Sequence, residues 1–84
     1  MNKYDFTLIL SSPSELTEDL AEALYEAGCD DGTPGMAEGV VLIDFHRRAS
    51  SLEAAIQSAI TNVKCAGCHV ERVEIQAEAM TPQP

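Results

Sequence analysis

Apolar and polar residues alternate at the start of the chain. Phe6, Leu8 and Leu10 fall on one side of Tyr4–Leu10, with Asp5, Thr7 and Ile9 on the other, the period-two signature of a half-buried strand. The period then changes. Ser12, Pro13 and Glu15 have the spacing of a capping box with proline at the first helical position. Leu16, Leu20, Ala23, Leu24 and Ala27 follow as one helical stripe, with Glu15, Glu18, Glu22 and Glu26 on the opposite side and Asp19 broadening it. Gly28 is expected to close this helix, because positive φ brings no Cβ clash. Gly32, Pro34, Gly35 and Gly39 punctuate the next stretch, which predicts a short edge strand that tolerates Pro34 and a turn near Glu38-Gly39. Val40–Phe45 is an almost unbroken apolar run and predicts a central strand with Val41, Ile43 and Phe45 inward. Ser50 and Glu53 form a second capping box, and Leu52, Ile56, Ala59, Ile60 and Val63 repeat the stripe of the first helix. Lys64 in the last turn suits the helix dipole. Val70–Ala77 is the last predicted strand, with Val73 and Ile75 inward.

The order is therefore β-α-β-β-α-β. Right-handed crossovers turn it into an α+β, ferredoxin-like sandwich: a four-stranded antiparallel sheet, in the order last, first, third, second, with two helices on one face. The domain is expected to span residues 1–78, followed by a flexible tail at 79–84. Ile9, Val40 and Leu42 point to the uncovered face, beside Thr7 and Asp44. Three apolar residues there form a candidate interaction face for a homodimer or a protein partner; the alternative is a small apolar patch without a role.

Charge narrows the partners. The 84 residues carry a net charge of −9. Residues 1–46 hold Lys3 against ten acids, whereas Arg47, Arg48, Lys64 and Arg72 balance Glu53, Glu71, Glu74 and Glu78 in the remainder. All the net charge thus lies in the first half. Such a domain repels phosphate backbones, which excludes stand-alone nucleic-acid binding and leaves basic partners open beside the plain reading of a solvated acidic face. Phe6–Leu10 is too short for a membrane span and lacks the basic start of a signal peptide, so a cytoplasmic protein is expected. Three cysteines fit reduced thiols better than a disulfide framework.

Two local patterns offer chemistry. Cys65-Ala66-Gly67-Cys68-His69 has the text of a c-type haem attachment site, but no export signal accompanies it and it runs straight into a strand. Two thiolates and an imidazole there can instead hold zinc or copper, and plain loop cysteines are the alternative. Cys29 is expected at the other end of the sheet, about 20 Å away by helix rise, and so outside that site. His46-Arg47-Arg48 followed by Ser50 sets two guanidiniums beside a helix N-terminus, a candidate anion site for a carboxylate or phosphate ligand. Alternatively these arginines pair with Asp30 and Asp31, expected at the same end of the sheet. No Gly-rich phosphate loop, Ser-His-Asp pattern or Glu-x-x-His occurs, and His46 and His69 fall at opposite ends, so no enzyme is expected.

Tyr4-Asp5-Phe6-Thr7-Leu8 and Ala23-Leu24-Tyr25-Glu26-Ala27-Gly28-Cys29-Asp30-Asp31 carry a resemblance, continued by Asp44-Phe45 and the spacing of Ala55-Ile56, Ala59-Ile60 and Val63-Lys64. Across residues 4–77 the chain resembles a group of small bacterial proteins with predicted DNA-binding function. The resemblance implies an N-terminal ferredoxin-like module, followed in that group by a helix-turn-helix, in antitoxin-like or phage-like regulators. These 84 residues contain no second helix pair to enter a groove, so the module carries over and the DNA contact does not. The resemblance assigns no site residue. The leading expectation is a non-enzymatic interaction module without a cofactor. A small-ligand sensor at Arg47, Arg48 and Ser50, or a zinc or copper site at Cys65, Cys68 and His69, stands as the alternative.

Overall fold

A computed structural model of the chain describes residues 2–75. Its elements are β1 (Asn2–Ser12), α1 (Glu18–Glu26), β2 (Gly32–Ala37), β3 (Val40–Ala49), α2 (Leu52–Cys65) and β4 (His69–Glu74). The sheet order is β2-β3-β1-β4 with every neighbouring pair antiparallel, the ferredoxin-like pattern that the order of elements predicts. The predicted end of the last strand at Ala77 and the tail at 79–84 lie outside the described residues.

Both helix starts differ from the capping boxes in the sequence. Ser12 belongs to β1, opposite His69 of β4, so it is held in the sheet and cannot cap a helix. Thr17 caps α1 instead, its hydroxyl accepting from the Leu20 amide at 3.1 Å. In α2 the cap moves by one residue to Ser51, which accepts from the Ala54 amide at 3.1 Å, leaving Ser50 exposed outside the helix. Gly28 does close α1, with φ 109°.

Beneath the helices, Phe6 and Phe45 stack with centroids 5.4 Å apart, surrounded by Leu8, Leu10, Val41 and Ile43, all fully buried. The bulk of this layer decides which face of α2 turns inward. The fully buried stripe is Ala55, Ala59 and Val63, whereas Leu52, Ile56 and Ile60 flank it half-buried. Small residues let the helix approach the aromatic pair, and the larger ones wrap its sides.

Helix and strand lengths also differ. The ten residues of β3 extend about 33 Å, but the fourteen of α2 only about 21 Å. The second helix therefore ends part-way along the sheet, against the end of α1, where the Asn62 side-chain amide donates to the Ala27 carbonyl at 2.7 Å. The two helix C-termini meet, where opposite ends of the sheet were expected.

A two-residue turn joins β2 to β3. Both of its residues take positive φ, Glu38 at 53° and Gly39 at 77°, as the twist of a tight hairpin demands. Glu38 is the one described non-glycine residue in this region. Glu38→Asn should therefore stabilise the fold by about 0.5–1 kcal/mol, since the left-handed conformation costs ordinary side chains roughly 1–2 kcal/mol and asparagine less. The urea midpoint would rise at unchanged slope; a lower midpoint would contradict the turn geometry.

Candidate functional site

Strand alternation sends Arg47 to the helix side of β3 and Arg48 to the open side, so the two guanidiniums never share a site. Arg47 is buried, and all five of its N–H donors are engaged. Nε and Nη2 clasp Asp31 Oδ2 and Oδ1, each at 2.8 Å. Nη2 also donates to the Gly28 carbonyl at 2.9 Å, and Nη1 donates to Ser58 Oγ at 3.0 Å and Asn62 Oδ1 at 2.8 Å. The cation lies 5.1 Å from the centroid of the Phe45 ring. Gly28 is doubly required here, because a Cβ would come within 2.7 Å of the Asn62 side-chain nitrogen. The Arg47 hydrogen bond holds the Asp31 carboxyl below the usual carboxylate range, and burial opposes this only in part.

This cluster answers the anion reading of Arg47, Arg48 and Ser50. Arg47 has no donor left for a ligand, Arg48 faces the other side of the sheet, and Ser50 does not cap α2. Pairing with the first-half acids is what the geometry provides, through Asp31. Ser58 and Asn62 were not singled out in the sequence. Their signal was an i, i+4 polar pair lying beside the small residues Ala55 and Ala59, which leave room for a side chain from the sheet.

The cysteine motif does not converge. Cys65, the last residue of α2, is exposed, Cys68 is buried in the core, and His69 is exposed on β4. Among the described residues no group of three His, Cys, Asp or Glu side chains is arranged to hold a metal ion. Cys29 is not remote from the motif, contrary to the estimate from helix rise. Both cysteines are buried in the core, and Cys68 is near enough to act on the Cys29 thiol, because the helix ends meet. Burial pushes the Cys29 thiol up to about 11, with Arg47 pulling it down and Asp31 and Cys68 adding to the rise. Burial raises Cys68 as well. Both are poor nucleophiles and poor metal ligands in this setting.

The open face of the sheet carries the remaining candidates. Ile9 and Leu42 are direct cross-strand partners in the centre, Val40 lies towards the turn, and Gly35 and Ala37 of β2 adjoin Leu42 and Val40. Their exposure is graded: Ile9 is 5% exposed, Leu42 is half-buried and Val40 is 36% exposed. Toward the opposite end the face turns polar: Lys3 lies opposite Arg48, and two side-chain pairs sit between them and the apolar centre. Thr7 donates to Asp44 at 2.5 Å, and His46 Nδ1 lies 2.7 Å from Asp5 Oδ1. Arg72 lies across from Ile9 and bonds Glu71 and Glu74. No family model matches the chain, and no curated protein or solved structure shows significant similarity to it.

Two outcomes follow from the buried groups. Arg47→Met should cost about 3–5 kcal/mol, since it leaves Asp31 charged and unpartnered. Because the folded pKa of Asp31 is depressed, its stabilisation is fully present above the unfolded value of about 3.9 and lost as pH falls through the folded value. The stability difference between wild type and Asp31→Asn should be constant at neutral pH and shrink below about pH 4; a difference unchanged to strong acid would contradict the pairing. Thiol reactivity tests the burial. Dithionitrobenzoate should modify Cys65 rapidly in the native protein, and Cys29 and Cys68 only at the rate of opening or unfolding.

Proposed function

We propose that this chain is a non-enzymatic interaction module that docks a protein partner on the open face of its sheet. The observation that carries this reading is the composition of that face: Ile9, Leu42, Val40, Gly35 and Ala37 are contiguous on the side away from both helices. Two side-chain pairs on it, Thr7 with Asp44 and Asp5 with His46, are already bonded, so covering them strands fewer unpartnered groups. The buried polar cluster supports the same reading by exclusion. Arg47, Asp31, Ser58 and Asn62 are bonded to one another and to backbone, which leaves them no free capacity for a substrate. A regulatory, antitoxin-like setting suits such a module.

No described helix is long and apolar enough to cross a membrane, and the net charge of −9 disfavours nucleic acid as the partner. The test is affinity capture from host lysate with two baits, wild type and Leu42→Glu. Leu42 is half-buried at the surface, so circular dichroism should show the variant folded. A specific partner retained by wild type and lost at least ten-fold with Leu42→Glu is the expected result. Equal retention by both baits would overturn the assignment of the open face.

A further inference from the structure

Asp31-Gly32 is the only place in the chain where Asp or Asn precedes glycine. That dipeptide is chemically fragile. With no Cβ on the second residue, its nitrogen can approach the aspartate side chain closely and close a succinimide ring. The bond that forms joins the Gly32 nitrogen to Asp31 Cγ. The bond that breaks releases the hydroxyl of the protonated carboxyl, which leaves with the amide proton as water. Solvent water then reopens the ring at either carbonyl. One opening returns aspartate, and the other leaves isoaspartate, whose backbone runs through the former side chain.

The fold cannot dispense with either residue. A Cβ on Gly32 would come within 2.8 Å of Ile43 Cγ2 and 3.0 Å of Phe45 Cε1, both in the packed core. Asp31 is the carboxylate that neutralises Arg47. Burial alone does not protect the dipeptide, because the Asp31 side chain is 32% exposed. Bonding restrains each atom that the reaction uses. Arg47 clasps both carboxylate oxygens at 2.8 Å and favours the ionised form, which has no hydroxyl to lose. The Gly32 N–H donates to the Cys29 carbonyl at 3.1 Å, so the nucleophilic nitrogen is held with its proton. The Asp31 carbonyl accepts from the His46 amide at 3.1 Å, which anchors the intervening peptide to the sheet. Ring closure requires that peptide to turn and the carboxyl to leave Arg47.

We propose that Asp31-Gly32 is a spontaneous modification site that the Arg47 cluster holds shut, so that isoaspartate forms there only when the cluster opens. The clasp on Asp31 then has a chemical role besides its structural one. Opening frees the end of α1 and the start of β2 together, since Arg47 also holds the Gly28 carbonyl. Isoaspartate adds one backbone atom ahead of β2 and displaces the carboxylate, so the same cluster cannot close on the product. None of this depends on partner docking at the open face.

The test is the rate of isoaspartate formation at Asp31, mapped by peptide mass spectrometry after the full chain is held in warm, mildly acidic buffer. Folded wild type should accumulate it about ten-fold or more slowly than the same chain unfolded in urea, because reaction waits for local opening. Arg47→Lys keeps the charge but loses the two-point clasp, and should raise the native rate about five-fold or more. Circular dichroism checks that the variant is folded. Asn62→Ala removes one partner of the guanidinium without touching Asp31, and should raise the rate in the same direction. It carries the comparison if Arg47→Lys fails to fold. Val41→Ala is the control for general destabilisation: Val41 is buried toward the other end of β3, and its loss should leave Asp31 protected. Equal rates in folded and unfolded wild type would overturn the proposal. Folded cluster variants as slow as wild type, or Val41→Ala as fast as they are, would overturn it too.

Discussion

A guanidinium buried under two helices must be neutralised and fully bonded, or the fold does not hold it. Arg47 meets that constraint with groups from three parts of the chain: Asp31 ahead of β2, Gly28 at the end of α1, and Ser58 and Asn62 on α2, with Phe45 of its own strand beneath it. The bidentate geometry with Asp31 is the strong form of such a pair. Bringing both charges out of water is costly, so the cluster is better understood as fixing one arrangement than as a large net source of stability. Asn62 extends it by bonding the Ala27 carbonyl, so both helix C-termini are held by one polar knot. Small Ala55 and Ala59 above the phenylalanine pair let α2 come close enough for this to happen.

That knot also decides where function can reside. It absorbs the chain's most suggestive polar motif, His46-Arg47-Arg48, by burying its middle residue and sending the other two to the opposite face. By drawing the helix ends together it puts Cys29 and Cys68 into the core, where burial raises both thiols. What remains accessible is the open face of the sheet with its small apolar centre.

Much of the fold was legible in the sequence, for identifiable reasons. Alternation in β1 and the apolar run of β3 gave the inward sets Phe6, Leu8, Leu10 and Val41, Ile43, Phe45. Gly28 and the Glu38-Gly39 turn announced themselves through their glycines, which take positive φ in the structure. The helix starts were misread because Ser12 and Ser50 satisfy a local pattern that long-range pairing and one-residue phasing override. The relation of the two helix ends was also hidden, since it depends on the difference between a long strand and a short helix. The arginine cluster was half legible. Pairing with Asp31 follows from charge and topology, but Ser58 and Asn62 signal only by lying beside small residues. The open-face residues were placed correctly by alternation, yet the near-complete burial of Ile9 depends on neighbours from three strands.

The central question for this fold is whether Arg47 joins its partners into one unit. A double-mutant cycle between Asp31→Asn and Asn62→Ala, followed by urea unfolding at neutral pH, measures this directly. Neither side chain bonds the other; each bonds Arg47. The two losses should be non-additive by about 1 kcal/mol or more, because the first already disrupts the guanidinium on which the second acts. Additivity within about 0.3 kcal/mol would contradict it and reduce the cluster to separate contacts.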